Sequence, residues 1–358
     1  MRQRTDMKAW VLHDIGDIRF EEIPEPSLQS GEVLVRVADA GICGSDIPRT
    51  YDTGAHVHPL VIGHEFSGTV EKLSDGVPAE WMHRRVGVFP LIPCGKCGPC
   101  QKRKYEMCRH YDYIGSRRDG AFGEYVRVPA RNLIALPDGV SMREAAMLEP
   151  MAVAVHAIRR ASGEFALAKD AKIAVLGLGT IGLLTVMFLL DAGYENLYVI
   201  GNKEFQLAQA VKIGIPYEKC CNSRKQDMRQ WLANIAGAEL VFECVGSSEC
   251  ILRSVEAAAP GGTVMAVGNP ASDIRFDRQT YWKILRNQLS VLGTWNSSFT
   301  GEVSDDWHYV LQRLESGYIK PENLITRLLP LSELEEGLLI MRDKKEDYVK
   351  VMTELSET

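Results

Sequence analysis

Four cysteines, Cys94, Cys97, Cys100 and Cys108, stand within fifteen residues of one another. The spacing Cys-x2-Cys-x2-Cys-x7-Cys supplies four soft thiolates from one short lobe, the ligand set of a closed tetrahedral zinc site. With all four positions filled, no place remains for a substrate, so this site is expected to be structural. An iron–sulfur or redox cluster is the competing chemistry for the same ligands. Lys96, Lys102, Arg103 and Lys104 would offset the thiolate charge.

A second set is dispersed. Gly41-Ile42-Cys43-Gly44-Ser45-Asp46 and Gly63-His64-Glu65 offer a thiolate, an imidazole and a carboxylate, and Glu149 adds another carboxylate before Pro150. A Cys, a His and a Glu around an open position describe a catalytic zinc. Spacing alone does not join them, and each by itself also suits a structural role. A third feature is the glycine loop Gly177-Leu178-Gly179-Thr180-Ile181-Gly182. Gly177 can make a tight turn, Gly179 lets the backbone approach a pyrophosphate, and Gly182 lets helix and strand pack closely. The helix N-terminus that follows faces the phosphates.

The elements that must position these residues change character along the chain. Residues 33–37, 85–89 and 124–128 read as strands separated by Gly- and Pro-rich turns, an irregular and mostly β region. Ser141-Met142-Arg143-Glu144 is a capping box that opens a helix, within which Pro150 should produce a kink or a new start. From Lys172 strands and helices alternate. Strands are expected at 172–176, 197–200, 240–244, 263–267 and 289–292, and helices at 180–191, 203–213, 228–235 and 249–259. Such βαβ alternation implies a parallel sheet with helices on both faces. The stretches 307–315 and 331–341 read as helices facing a core. In a dinucleotide fold an acidic residue about 20 positions beyond the glycine loop holds the ribose hydroxyls. Gly201 stands there instead, followed by Asn202, Lys203 and Glu204. No carboxylate repels a 2′-phosphate at that point, and Asn202 and Lys203 could bind one. NADP is therefore slightly favoured over NAD, the alternative being that Glu204 or a backbone group holds an NAD ribose.

The 358 residues suggest two domains, and 25% charged with 46% hydrophobic residues is an ordinary globular balance. A net charge of −6 offers no general field for nucleic acid. No apolar run reaches the ~18 residues of a membrane span, and no apolar segment follows the basic N-terminus, so a soluble cytoplasmic protein is expected. Of the nine cysteines, the vicinal pair Cys220-Cys221 is assigned no function.

These motifs, in this order and spacing, resemble the zinc-dependent medium-chain dehydrogenase/reductase family in its polyol dehydrogenase branch. The resemblance implies an α/β protein with a GroES-like β-rich catalytic domain over residues 1–155, a doubly wound Rossmann NAD(P)-binding domain over 156–293, and a return to the catalytic domain over 294–358. It implies two zinc ions per chain, one structural and one catalytic. The catalytic ion would be held by Cys43 and His64, with Glu65, Glu149 or both completing the set. Asp46 would orient His64, and Ser45 would relay the proton. Pro48 stands where many relatives carry a relay histidine. A homodimer or homotetramer is implied as well.

Residues 111–120, Gly54-Ala55-His56, Ile284-Leu285-Arg286 and Gly293-Thr294-Trp295 resemble the group within that branch that acts on galactitol 1-phosphate. Gly201 departs from the acidic residue of its NAD-dependent members. Arg117 and Arg118 are candidates for holding a substrate phosphate, since arginine binds phosphate bidentately. Their alternative is an ion pair with Asp119 and Glu124, and Arg49, His56 and Lys283 are rival cations. The expected activity is oxidation of a secondary alcohol of a sugar alcohol or its phosphate. The alternatives are a free polyol, a cyclitol or an amino alcohol such as threonine. A nucleotide-binding structural protein without chemistry is the alternative of another kind.

Overall fold

Val33, Leu34, Val35 and Val37 are all buried, and they sit in the longest strand of the molecule, Glu32–Ile42. β-Branched side chains of this kind suit a pleated surface with little exposed area. The computed structural model describes residues 6–235 and 237–355. It divides into two units, Met1–Glu149 with Ser298–Thr358, and Pro150–Ser297. The divisions fall a few residues from 155 and 293 because Leu148–Ser162 is one helix that spans the first of them. The break in that region comes at Met147, between the helices Met142–Ala146 and Leu148–Ser162. Pro150 lies in the first turn of the second helix, where its missing N–H costs nothing. The Ser141 capping box is formed in both directions.

In the first unit a seven-stranded sheet runs in the order Leu133–Ala135, Arg85–Val88, Glu65–Leu73, Glu32–Ile42, Lys350–Glu354, Ile325–Pro330, with Tyr125–Pro129 also on Glu32–Ile42. A smaller sheet joins Asp17–Pro24, Asp6–Asp14 and Leu60–Val61. Their shared core includes Leu12, Val35, Phe66, Val86, Phe122 and Val351, closed by Leu334 and Leu338 of the helix Leu334–Asp343. Trp307, Val310 and Leu314 of the helix Asp306–Glu315 are buried as well.

The second unit holds six parallel strands in the order Cys220–Asn222, Leu197–Gly201, Ile173–Leu176, Ala238–Glu243, Ala258–Ala266, Ser290–Gly293. Numbered along the chain this is 3-2-1-4-5-6, the doubly wound order, whose ligands bind beyond the strand ends where the order reverses. That reversal lies between Ile173–Leu176 and Ala238–Glu243, and the glycine loop leaves the first of these strands. The helix Thr180–Asp191 follows it, with residues 182–189 buried.

Candidate active site

Strand register assembles the dispersed set. Gly41 lies opposite Glu65 on one side and Met352 on the other, and Ile42 lies opposite Val351. Cys43, Glu65 and Lys350 therefore gather at one level of the sheet, although they come from three separate strand ends. One ligand atom each of Cys43, His64 and Glu65 lie within 4.8 Å of one another, with His64 and Glu65 buried. A thiol, an imidazole and a carboxylate converging in this way form a donor set that fits zinc with a position left open.

Lys350, absent from the sequence reading, is the cation of this site. Its Nζ donates to the carbonyl of Ile42 at 3.0 Å and is bonded to Oε2 of Glu65. Only 2% of the lysine side chain and 3% of the glutamate side chain are exposed, so the pair has exchanged water for each other. The pair passes beside Gly41, where a Cβ would stand 2.8 Å from Lys350 Cε, so a larger residue would displace it.

Asp46, fully buried, accepts the backbone N–H of Cys43 at 2.9 Å and pairs with Arg49 at 2.5 Å. Its carboxylate stands 3.5 Å from Nδ1 of His64, an atom with no closer hydrogen-bond partner. Burial, the largest influence on Asp46, opposes its ionisation, yet His64, Arg49 and the Cys43 N–H together hold its carboxyl below the usual range. Burial likewise opposes protonation of His64, but Asp46 and Cys43 raise it well above an ordinary histidine. Ser45 precedes the short helix Asp46–Tyr51 and makes no side-chain cap bond.

Glu149 is not one of the three converging donors. It opens the helix Leu148–Ser162, buried, and accepts the hydroxyl of Tyr113 at 3.3 Å. Burial, reinforced by Glu65, pushes its carboxyl up to about 7, against the opposing pull of His64, Lys350 and Tyr113. The Tyr113 ring also stands edge-on to His64 at 5.8 Å. In the sequence Tyr113 stood out only as part of the 111–120 stretch, since nothing local marks a phenol that reaches a carboxylate 36 positions away.

The four-cysteine lobe closes on itself. Cys97 Sγ lies 3.4 Å from Cys100 Sγ and 3.9 Å from Cys108 Sγ, and Cys94 Sγ lies 4.0 Å from Cys100 Sγ. Four sulfurs at ~2.3 Å from a tetrahedral zinc stand about 3.8 Å apart, so the spacing fits the ion. Backbone N–H groups of Arg109 and Cys100 lower the Cys97 thiol to about 6, whereas burial and its sulfur neighbours raise Cys100 to about 12. Of the expected compensating cations, Arg103 is instead tied to Glu302 and the Thr300 carbonyl.

The two candidate phosphate arginines part company. Arg118 pairs with Asp112 at 2.8 Å and Glu32 at 3.3 Å. The acids expected to neutralise them are engaged elsewhere: Asp119 accepts the Val61 N–H and Glu124 the Lys8 N–H. Arg117 is exposed and lies over the Tyr111 ring, 4.6 Å from its centroid.

In the second unit Gly177 has φ of +96°, and a Cβ on Gly182 would meet the Gly177 carbonyl oxygen at 1.9 Å. Nothing lies within 4 Å of a Cβ built on Gly179, an open cradle at the N-terminus of the helix beginning with Thr180 and Ile181. Gly201 ends its strand, Asn202 is exposed, and Lys203 precedes the helix Glu204–Ile213. Glu204 is turned to Lys225 at 2.7 Å and Asn222 Nδ2 at 2.5 Å, and these bonds lower its carboxyl.

Known proteins share this fold. Residues 29–138 match the alcohol dehydrogenase GroES-like domain and residues 180–316 the zinc-binding dehydrogenase domain. Galactitol 1-phosphate 5-dehydrogenase of Escherichia coli K12 is 34% identical over 324 residues, covering 89% of this chain and 92% of the relative. L-threonine 3-dehydrogenase of Bacillus licheniformis is 32% identical over 331 residues, covering 90% and 92%. The crystal structure of galactitol-1-phosphate dehydrogenase from Escherichia coli superposes with a TM-score of 0.87 at 31% identity, covering 97% of this chain and 99% of the other. A Sinorhizobium meliloti 1021 structure bound to NADP superposes with a TM-score of 0.88 at 26% identity, covering 98% and 100%. Among the described residues, no helix is long and apolar enough to cross a membrane.

Proposed function

The chain belongs to the zinc-dependent alcohol and polyol dehydrogenase family, and from that premise we propose that it transfers a hydride between a secondary alcohol of a phosphorylated polyol, such as galactitol 1-phosphate, and NADP. The observation that carries the reading is the convergence of Cys43, His64 and Glu65 in one buried set. A zinc ion held there supplies a Lewis acid that makes a hydroxyl more acidic and polarises a ketone. We assign a second, structural ion to Cys94, Cys97, Cys100 and Cys108.

The chain's own residues do the rest. Asp46 fixes the imidazole of His64, and Arg49 keeps Asp46 ionised. Lys350 holds Glu65. Glu149, pushed up to about 7 by burial, can hold or release a proton at its carboxylate under the hand of Tyr113. Ser45, uncommitted to its helix cap, passes the proton outward, and Pro48 leaves no relay imidazole on that helix. Two features support NADP: Gly201 presents no carboxylate at the strand end, and Glu204 is taken up by Lys225 and Asn222. The exposed edge strand Ser290–Gly293 offers a surface for a second copy of the chain.

The test is initial rates of nicotinamide reduction in zinc-loaded protein with galactitol 1-phosphate, galactitol and L-threonine, each with NAD⁺ and NADP⁺. The phosphate ester with NADP⁺ should be fastest. Turnover of galactitol or threonine alone would replace the substrate and leave the family chemistry, and faster NAD⁺ reduction would overturn the cofactor assignment.

A further inference from the structure

We propose that Glu243 is a positioning residue for the dinucleotide cofactor: its carboxylate sets the loop 244–246 so that Val245 stands beside the glycine loop as an apolar wall of the crevice. The proposal rests on the reading that the second unit binds a nicotinamide dinucleotide, and it holds for NADP and NAD alike.

Glu243 ends the strand Ala238–Glu243, where the strand order reverses. It is 2% exposed, and among the described residues no lysine, arginine or histidine pairs with it. A buried charge without a cation is costly unless hydrogen bonds hold it, and a hydrocarbon of the same shape would close the core better. Here a single oxygen, Oε1, accepts the backbone N–H of Val245 at 2.9 Å and that of Gly246 at 2.8 Å. The neighbouring thiols of Cys244 and Cys250 are held protonated by burial, and the charge of Glu243 adds to that.

The main chain of Glu243 draws in a second loop. Its carbonyl accepts the N–H groups of Val267 and Gly268, each at 2.9 Å. Gly246 has φ of +80°, and a Cβ there would meet the Asn269 carbonyl at 2.6 Å; a Cβ on Gly268 would meet the Gly246 nitrogen at 2.1 Å. On the other side the Cys244 N–H donates to the carbonyl of Leu176 at 2.8 Å. A Cβ on Gly177 would stand 2.5 Å from Cγ2 of Val245. The loop 244–246 is thus clamped against the turn that opens the glycine loop. With the amides of Val245 and Gly246 spent on Glu243, the loop offers the Val245 side chain, 50% exposed. A half-exposed apolar group at the reversal point, beside a backbone cradle, suits the flat face of a ring rather than a phosphate.

The experiment compares the parent with Glu243→Gln, Glu243→Met and Val245→Ala in zinc-loaded protein. It measures the Kd of NADPH and of NADH by quenching of protein fluorescence, the melting midpoint without cofactor, and hydrogen exchange at the amides of Val245 and Gly246. Glutamine keeps an acceptor oxygen, so both amides should stay protected and Kd should stay within about threefold of the parent. Methionine keeps the length and loses the acceptors. Both amides should then exchange faster and Kd should rise about tenfold, the cost of ordering roughly one backbone residue being moved to the binding step. Val245→Ala should raise Kd several-fold with the midpoint within about 1 °C of the parent. A Glu243→Met protein with a lower midpoint and an unchanged Kd marks a merely structural carboxylate and overturns the proposal, as does equal weakening in Glu243→Gln and Glu243→Met. Unchanged binding in Val245→Ala overturns it as well, a result readable even where Glu243→Met does not fold. A parent that binds neither NADPH nor NADH overturns the cofactor reading and the proposal with it.

Discussion

Removing Lys350 is the sharpest single perturbation of the site. Its ammonium and the Glu65 carboxylate are both nearly water-free, and Lys350 also serves the Ile42 carbonyl. Lys350→Met keeps most of the stem and deletes the charge. The methionine leaves a buried carboxylate with no cation of its own and a carbonyl short of one donor. Breaking a buried pair from one side costs about 3–5 kcal/mol. In a unit of this size each kcal/mol moves the melting midpoint by roughly 2–4 °C, so metal-free Lys350→Met should melt about 10 °C below the parent. Glu149 should also titrate higher, because Lys350 is one of the groups that hold its carboxyl down. Zinc replaces the missing positive charge beside Glu65, so the deficit should shrink in zinc-loaded protein. The double variant Lys350→Met/Glu65→Gln removes both charges and should recover much of the loss, the coupling being read from the cycle. Scanning calorimetry of all four proteins, with and without zinc, checks this. A metal-free Lys350→Met within about 1 °C of the parent, or deficits equal with and without zinc, would refute the argument.

Two further outcomes follow from the geometry. Gly201→Asp should move preference from NADP⁺ toward NAD⁺ by about tenfold or more, since the carboxylate repels a 2′-phosphate and can bond ribose hydroxyls; its Cβ meets only Leu178 Cδ1 at 3.1 Å and side-chain carbons at 3.5 Å, so folding should survive, and the ratio of kcat/KM values reads the result. Metal-free protein draws stability from protonated His64, whose pKa is raised in the folded state: the contribution is full below about pH 6.5 and is lost as pH rises through the raised value. Zinc uptake at neutral pH should therefore release protons from His64 as well as from thiols, visible as a buffer-dependent calorimetric heat that is smaller in His64→Ala.

The parallel half of the molecule was legible because its signals are local. The helix Thr180–Asp191 begins and ends where the apolar run and the glycine loop place it. The four-cysteine lobe was equally plain, all of its ligands lying in one short loop. Lys350 was not legible: it meets Glu65 across 285 residues, by strand register alone, and a lysine near the end of a chain reads as surface. Adjacent Arg117 and Arg118 look interchangeable as letters. The turn between Tyr113 and Arg118 sends them apart, with the amides of both accepted by the Tyr113 carbonyl. Only folding reveals that one is spent on Asp112 and Glu32.

The two glutamates of the site are chemically alike in sequence and different in place. Glu65 carries Lys350 against it; Glu149 has burial and the charge of Glu65 acting on it, and so is pushed up to about 7. A carboxyl pushed up in this way can hold a proton near neutral pH, the task of a general acid or base. In metal-free protein His64 is held protonated by Asp46 and Cys43. Ligation through His64 would displace that proton, and the ion would bring its own positive charge to the same place. The surrounding charges, Arg49 with Asp46 and Lys350 with Glu65, need not rearrange. Glu149, pushed up to about 7, is left near the pKa at which a proton can come and go during turnover.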